Sequence, residues 1–210
     1  MKLDEKEIRK TGTTTVALIC KNGVILAAEK RSIMGYLVAS KESEKILPIE
    51  DHIALTIAGG VGDCQTLVRY MKAELKLFSI QNKRKISVKG ATTLLSNILQ
   101  GSRMFPFMVQ LILAGYDNSG PSIFIMDAVG AAEEERKFFS TGSGSPIALG
   151  VLENKYKDGI SVDEGSKLAL ESIRAATERD VASGGKAVDV AVITKEGIEI
   201  TKHELEKISK

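Results

Sequence analysis

The pattern of apolar and polar residues changes abruptly at Thr13. Residues 1–12 are mostly charged or polar and show no strand pattern, whereas the two runs that follow, TTTVALIC and VILAAEKR, are rich in β-branched and apolar residues. Between these runs, Asn22 and Gly23 favour a type I′ turn, because both residue types accept a positive φ. The pattern predicts that a β-hairpin opens the folded domain at Thr13 and that residues 1–12 form an appended leader.

Beyond the hairpin, strand-like and helical spacings of apolar residues follow one another in blocks. Strands are predicted at 45–49, 53–58, 108–116, 122–127, 137–141, 189–194 and 198–200. Helices are predicted at 62–78, 88–103, 146–156, 162–179 and, as a short terminal helix, 202–208, with a charged bend at 133–135. Strand blocks alternate with helix pairs, without a linker or repeat. This order is typical of one layered α+β domain, with helices outside and sheets face to face inside.

The composition carries no strong charge bias. A formal net charge of +2 over 210 residues argues against binding nucleic acid or anionic membranes by electrostatics alone. No apolar stretch approaches the roughly 20 residues of a membrane span. The charged segment 1–10 lacks the apolar core of a signal peptide, so the sequence predicts a cytoplasmic protein.

Cysteine and histidine are scarce, which limits the available chemistry. Cys20 and Cys64 lie among apolar or small residues without CxxC spacing, which predicts two buried free thiols, with a disulfide as the alternative. The two histidines, His52 and His203, have no neighbours that would complete a familiar catalytic triad or a metal site, and both are predicted at the surface. We therefore expect no metal and no cofactor, and the base of any hydrolase in this chain must be another group.

An N-terminal α-amine is such a base. A residue that begins a chain carries an amine with an ordinary pKa of about 7.7–8.0, which accepts protons near neutral pH. Gly12 permits strained backbone geometry next to Thr13, so the Thr13 hydroxyl could attack the preceding carbonyl group and free its own amine. The alternative is that three threonines at the head of a strand reflect β-propensity only.

The chain resembles the β-subunits of archaeal-type proteasomes. The motifs that carry this resemblance are GTTTVALICKNGVILAAEKR, SKESEKI, LTIAGGVGDCQTLVRYMKAELKL, ATTLLSN, FPFMVQLILAGYD, FFSTGSGSPIALGVLE and ERDVASGGKAVDVAVIT. They cover essentially the whole of 12–194. TGSGS and RDxxSGG are the most specific of them. The resemblance implies the four-layer αββα sandwich of N-terminal-nucleophile hydrolases, with a propeptide at 1–12 removed by self-cleavage and one catalytic domain at 13–210.

The resemblance assigns the reacting groups residue by residue. Thr13 matches the threonine whose oxygen attacks the peptide carbonyl group, and Lys45 matches the lysine beneath it. Glu29 occupies the place of the acidic partner of that lysine, which is an aspartate in many members. Arg31, two residues later, matches a supporting positive position and is expected on the same strand face as Glu29.

Four further residues match the groups around the threonine. Ser143, Asp180 and Ser183 correspond to the network that holds its amine, and Gly59 corresponds to the glycine whose N–H forms the oxyanion hole. From the residues alone, the segment at Ser143 could instead cap the next helix, and Asp180 could simply end a helix before glycines. Gly59 could belong to a phosphate-binding loop, although the P-loop lysine is missing.

The resemblance also indicates the substrate pocket beside Thr13. The corresponding side chains are Ser32, Ser43, Ile57, Val61 and Gln65. Ile57 and Val61 are apolar, and this set contains no acid or base that would select a charged side chain. A chymotrypsin-like preference for large apolar residues before the cleaved bond is therefore expected.

The resemblance implies an assembly. Members of this family form two stacked heptameric β rings between α-subunit rings, receive unfolded proteins from an ATP-dependent unfoldase and cut them to peptides inside the chamber. Two alternatives are an inactive structural β-ring subunit and another N-terminal-nucleophile hydrolase, such as an amidase or the bacterial two-ring protease. Inactive subunits generally lack part of the threonine, lysine and acid set, which this chain keeps.

Overall fold

The computed structural model describes residues 12–205. Its strands are β1 (Thr14–Cys20), β2 (Gly23–Glu29), β3 (Ser32–Met34), β4 (Leu37–Ser40), β5 (Ile46–Glu50), β6 (Ile53–Gly59), β7 (Val109–Asp117), β8 (Gly120–Met126), β9 (Ala132–Glu135), β10 (Phe138–Gly142), β11 (Ala187–Thr194) and β12 (Gly197–Glu204). Its helices are α1 (Val61–Asn82), α2 (Val88–Gly101), α3 (Ser145–Lys155) and α4 (Val162–Arg179). Within the described range, no helix has the length and apolar character needed to cross a membrane.

Two five-stranded antiparallel sheets make up the centre of the domain. The strand order of the first sheet is β10-β1-β2-β11-β12, and that of the second is β5-β6-β7-β8-β9. The strands β3 and β4 pair as a separate hairpin. In the first sheet the chain returns to pair β11 with β2 after the whole second sheet has been formed. The two ends of the described chain are therefore joined in one sheet.

Three groups of buried apolar residues divide the domain into four layers. One group lies between the second sheet and the pair α1–α2, and includes Leu55, Met71 and Leu95. Another lies between the first sheet and the pair α3–α4, and includes Leu18 and Ile173. The third lies between the two sheets. The αββα sandwich expected from the sequence is thus confirmed.

The alternation along β1 explains this layering. Val16 and Leu18 belong to the apolar group under the helices, whereas Ala17 between them faces the second sheet. Successive side chains of a strand point to opposite faces, so one strand serves two cores. Small residues recur between the sheets, where Ala17 is joined by Ala54 and Ala114. They alternate there with larger residues such as Leu26 and Ile112, so side chains of different size fill the space between the two sheets.

Most predicted elements are present, but the structure differs from the sequence analysis at four places. The type I′ turn at Asn22 and Gly23 is wrong, because Gly23 already pairs with Cys20 as part of β2 and neither Asn22 nor Gly23 has a positive φ. The helix expected at 202–208 is wrong for 202–204, which continue β12 in register with β11; residues 206–208 lie outside the described range. The acidic bend at 133–135 is wrong, because these residues pair with β8 as the edge strand β9. The hairpin of β3 and β4 was not predicted.

The prediction of two free thiols is confirmed, since Cys20 and Cys64 are both buried and unpaired. The surface location predicted for His52 is wrong. His52 is buried, and its ring nitrogens contact the Asp51 carboxylate at 3.0 Å and the carbonyl oxygen of Ile86 at 2.9 Å. His203 is half-buried on β12.

Candidate active site

The residues singled out in the sequence converge because each stands at the end of a strand or helix. Thr13 precedes β1 and Glu29 ends β2, while Lys45 precedes β5. Ser143 follows β10, and Asp180 follows α4, which a capping box fixes at its other end. Strand and helix ends that meet at one edge of the sandwich bring together groups that are up to 167 positions apart in the sequence, as Thr13 and Asp180 are.

Thr13 is buried with both of its polar groups engaged. Its hydroxyl donates a hydrogen bond to the carbonyl oxygen of Gly12 at 2.6 Å. Its backbone N–H donates to Oγ of Ser143 at 3.3 Å. Because Gly12 is joined to Thr13 here, this nitrogen is an amide rather than an amine. The geometry is that of the uncleaved chain, with the Thr13 hydroxyl beside the carbonyl group of the bond that precedes it.

Glu29 holds the ammonium group of Lys45 in a buried ion pair. The Glu29 side chain is fully buried and that of Lys45 is 6% exposed. Glu29 Oε1 accepts from Lys45 Nζ and from the N–H of Thr14, and Oε2 accepts from the N–H groups of Arg31 (2.7 Å) and Gly184 (2.9 Å). Burial lowers the pKa of Lys45 below its ordinary value, and the Glu29 carboxylate opposes this shift. One carboxylate thus orders both the lysine and the amide next to Thr13.

A chain of hydroxyl groups and a carboxylate reaches Thr13 from the opposite side. Ser143 Oγ and Ser183 Oγ both donate to Oδ2 of Asp180, at 2.5 and 2.6 Å. Because the Ser143 hydroxyl proton points to Asp180, its oxygen is free to accept from the N–H of Thr13. The alternative in which this segment caps α3 through a side chain is not supported: the N-cap is Gly144 and makes no side-chain cap bond.

The three consecutive threonines have three different sets of partners. Thr13 contacts Gly12 and Ser143, whereas Thr14 Oγ1 lies 2.7 Å from Oγ of Ser183. Thr15 Oγ1 lies 2.7 Å from Oγ1 of Thr141 and 3.1 Å from Oγ1 of Thr56, which belongs to the other sheet. β-Propensity alone does not account for such contacts, because valine would fit a strand equally well.

Arg31 lies at the site, but not for the reason expected. Since β2 ends at Glu29, the two residues do not share a strand face, and that rationale is wrong. Arg31 instead donates from Nη1 to the carbonyl oxygen of Val181 at 2.9 Å, and its own carbonyl oxygen accepts from Lys45 Nζ at 2.5 Å. Its buried Nε finds no partner among residues 12–205. Arg31 therefore ties the loop after α4 to the lysine.

Gly59 ends β6 in a conformation that favours glycine. Its φ is +125°, and a Cβ atom at this position would overlap the carbonyl oxygen of Met108. The next residue, Gly60, donates its N–H to the same oxygen at 2.7 Å. The start of α1 is thereby held against β7, and Gly59 lines the cavity that contains Thr13.

A small cavity opens beside Thr13 and contains four of the five residues expected there: Ser32, Ser43, Ile57 and Val61. The fifth, Gln65, lies on the exposed face of α1 and is not among the lining residues in the described chain. The expectation of a lining without acid or base is wrong, because Glu44 and Lys45 are both part of it.

Sequence reasoning also missed that Ile33 and Cys64 line this cavity. The position of Cys64 was an available signal, because it lies three residues after Val61, which was assigned to the pocket, and residues three apart share one face of a helix. The signal for Glu44 was clearer, because this residue stands between Ser43 and Lys45, which were both assigned to the site. An irregular connection between strands can present consecutive side chains to one cavity, which strand alternation would not predict.

Comparison with known proteins agrees with this architecture. A family model described as "Proteasome subunit" matches residues 9–193. Relatives named "Proteasome subunit beta" include those of Methanocaldococcus vulcanius (53% identical over 194 residues, 92% of this chain and 86% of the relative) and Methanohalophilus mahii (51% over 198 residues, 94% of each). The Methanocaldococcus jannaschii relative is 52% identical over 199 residues, 94% of this chain and 88% of its own. The chain therefore belongs to the proteasome subunit family, as a β-type subunit and a threonine protease of the N-terminal-nucleophile class.

Proposed function

We propose that this chain is made as a precursor, removes residues 1–12 itself, and then hydrolyses peptide bonds with Thr13 as the nucleophile. The observation that carries this proposal is the 2.6 Å contact between the Thr13 hydroxyl and the Gly12 carbonyl oxygen. Lys45, paired with Glu29, lines the same cavity as Thr13, and Ser143, bonded to Asp180, accepts from the Thr13 N–H. A nucleophile, its activating cation and the groups that orient its nitrogen thus surround one peptide bond.

Self-cleavage would proceed by an N-to-O acyl shift. Thr13 Oγ adds to the carbonyl carbon of Gly12, and the C–N bond to Thr13 breaks as its nitrogen takes up a proton. The product is an ester between Gly12 and the Thr13 side chain. Water then hydrolyses this ester, leaving a carboxylate on Gly12 and a free α-amine on Thr13. The hydrogen bond from the Thr13 N–H to Ser143 holds the nitrogen in place throughout.

In the processed enzyme the free amine of Thr13 accepts the proton of its own hydroxyl, as its ordinary pKa of about 7.7–8.0 allows. The Lys45 ammonium stabilises the developing alkoxide, and Ser143, Asp180 and Ser183 hold the amine. The alkoxide attacks the substrate carbonyl carbon, the amine gives its proton to the leaving nitrogen, and water later hydrolyses the acyl-enzyme ester. We assign the oxyanion hole to the N–H of Gly59, a type of donor that lowers a barrier by about 3 kcal/mol.

The alternative is an inactive ring subunit that keeps its leader. The set of Thr13, Lys45, Glu29 and Asp180 is complete, which favours the active enzyme. Thr13, Lys45 and Glu29 are buried, Lys45 is paired with Glu29, and Asp180 accepts from Ser143. The intact mass of the chain decides between them after assembly with an α-subunit partner. Loss of residues 1–12 by the wild type, and not by Thr13→Ala, supports the active enzyme. An intact leader in the assembled wild-type particle would overturn it.

For the cavity we propose a preference for large apolar residues before the cleaved bond. The support is a lining in which Ile33, Ile57, Val61 and Cys64 supply the apolar surface. Fluorogenic peptides that end in Leu, Phe or Tyr are expected to have a higher kcat/KM than those that end in Arg or Glu. The preference is refuted if a charged residue in this position is cut faster.

The biological setting we propose follows from family membership. Two heptameric β rings stack face to face between α-subunit rings, an ATP-dependent unfoldase delivers unfolded proteins, and the peptides are made in the enclosed chamber in the cytoplasm. Particle mass by native mass spectrometry, with and without the α-subunit, tests this assembly directly.

A further inference from the structure

Glu44 is an acidic residue in the wall of the cavity beside Thr13. It lies in the connection between β4 and β5, between two other lining residues, Ser43 and Lys45. This connection is anchored on both sides: the N–H of Ser43 donates to the carbonyl oxygen of Lys30 at 2.9 Å, and the carbonyl oxygen of Lys45 accepts from the N–H of Ile57 at 3.0 Å. The backbone thus fixes the position of Glu44 relative to the nucleophile.

The charge of Glu44 is not neutralised within the described chain. Its side chain is exposed and makes no hydrogen bond or ion pair with another described residue. The other charged residue of the lining, Lys45, is already paired with Glu29. A substrate side chain that enters the cavity therefore meets one uncompensated negative charge on an otherwise apolar or neutral wall.

Such a wall suits a side chain with an apolar stem and a cationic end. Lysine and arginine bury their methylene groups along apolar surface while the charged group stays near water. Ile57 and Val61 provide the apolar surface, and Glu44 provides the charge at the exposed side. An acidic substrate residue would meet the same surface with an unfavourable like charge.

We propose that Glu44 is a specificity-determining residue, which makes lysine and arginine a second accepted class at the position before the cleaved bond and excludes aspartate and glutamate. This inference rests on the proposed function of the site. The expected order of kcat/KM is Leu, Phe or Tyr first, Arg or Lys second, and Glu or Asp last. Glu44 sets the ratio of kcat/KM between the second and third classes of peptide and leaves kcat/KM for the first class unchanged.

The test uses the processed particle assembled with α-subunits and three fluorogenic peptides that differ only in ending with Leu, Arg or Glu. Glu44→Gln is expected to lower kcat/KM for the Arg peptide about fivefold and to raise it for the Glu peptide by a similar factor, the upper end for a solvent-exposed charge pair. The value of kcat/KM for the Leu peptide is expected to change less than about twofold, since an apolar residue gains little from a nearby charge. Glu44→Lys should reverse the order of the Arg and Glu peptides.

Glu42→Gln is the matched control. Glu42 is an exposed acid two residues away, paired with Lys186 and absent from the cavity lining. This variant should leave kcat/KM for all three peptides unchanged. Added salt should reduce the ratio of kcat/KM for the Arg peptide to that for the Glu peptide in the wild type, because exposed charges are screened. In Glu44→Gln, added salt should have little effect on this ratio.

The proposal is overturned if Glu44→Gln leaves the ratio of kcat/KM for the Arg and Glu peptides unchanged. It is also overturned if the variant changes kcat/KM for all three peptides by the same factor. A wild-type particle that cuts Arg faster than Leu would refute the apolar preference but not the role of Glu44. If no peptide were cut, the proposed function would fail. Binding of the three matching peptide amides, measured by fluorescence polarisation, would then still show whether Glu44→Gln weakens the Arg peptide selectively.

Discussion

Gly12 packs so closely on Ala182 that a Cβ atom at position 12 would overlap the Cβ of Ala182. Ala182 lies in the loop between Asp180 and Ser183, so the bond proposed for self-cleavage is held against the loop that carries two site residues. Glycine is needed at position 12 for space, in addition to any need for backbone freedom.

We therefore expect Gly12→Ala to slow removal of residues 1–12 by more than about tenfold, because displacement of the carbonyl group by even 1 Å can cost about two orders of magnitude in rate. Ala182→Gly removes the overlapping atom, and the double variant should process faster than Gly12→Ala alone. The measurement is the time course of intact mass during assembly.

The control for this prediction is a chain that begins directly at Thr13, in which residue 12 is absent. Its peptidase activity should match that of processed wild type. Processing of Gly12→Ala at the wild-type rate would show that the contact with Ala182 does not position the bond.

The Lys45–Glu29 pair leads to a prediction about stability and activity together. In Glu29→Gln the Lys45 ammonium stays buried without its counter-charge, which costs about 3–5 kcal/mol in the free energy of unfolding. In Glu29→Gln/Lys45→Met neither charge remains, so stability should return to within about 1–2 kcal/mol of the wild type. Urea denaturation of the unassembled chain measures both.

In the same variants, peptidase activity should not follow the free energy of unfolding. Both Glu29→Gln and the double variant are expected to lose peptidase activity, because each lacks a correctly placed ammonium beneath Thr13. A double variant that recovers both stability and activity would show that the pair serves folding only. Lys186→Gln, which breaks an exposed pair with Glu42, is the matched control and should change neither quantity by more than about 1 kcal/mol or twofold.

The lowered pKa of Lys45 predicts an alkaline limit to activity. The charged form of a lysine is lost as the pH rises through its pKa, and burial brings the pKa of Lys45 below the ordinary value of about 10.4. We expect kcat/KM to fall on the alkaline side at a pH below about 10.4. On the acid side, kcat/KM should fall as the amine of Thr13 is protonated; the ordinary pKa of an α-amine is about 7.7–8.0.

Lys45→Arg distinguishes this origin of the alkaline limb from others. Arginine stays charged throughout this range but differs in shape, so activity should be lower overall, with the alkaline fall shifted to higher pH. An alkaline limb at the same pH in Lys45→Arg would assign it to another group.

The sequence was most informative where one physical cause dominates. The bounds of the helix 162–179 agree with the prediction, which rests on a clear apolar period. The structure adds a capping box at Ser161 and Glu164 that explains why the helix begins there. The terminal segment, in contrast, is rich in good helix formers from Lys202 onward, yet 202–204 form a strand because β11 offers a complete hydrogen-bonding edge. Tertiary pairing overrides local propensity there.

Short, polar elements were beyond prediction for a related reason. The acidic strand 132–135 sits at the edge of the second sheet, where charged residues are tolerated and no apolar alternation is required. The place of Glu44 in the cavity depends on how an irregular connection crosses the end of the sandwich, which no local pattern encodes. Arg31 illustrates the same limit, since its contact with Val181 joins residues 150 positions apart.

The two buried thiols give a prediction that requires no assembly. Burial raises the pKa of both Cys20 and Cys64 to about 12, so about one thiol in ten thousand is ionised at pH 8. Cys20 packs directly against Gly165 of α4, and Cys64 is only 1% exposed in the cavity wall. Neither should react appreciably with a thiol reagent such as dithiobisnitrobenzoate in the folded chain, whereas both should react after denaturation.

Ser119→Cys supplies the matched comparison, because Ser119 is exposed in the turn between β7 and β8. This variant should gain one rapidly reacting thiol at pH 8 while Cys20 and Cys64 stay protected. The rate ratio between the introduced and the native thiols is expected to exceed about a hundredfold, since both ionisation and access favour the exposed one. A native thiol that reacts as fast as the one at position 119 would contradict the buried packing of α1 or α4, and Cys64→Ala would identify which of the two is open.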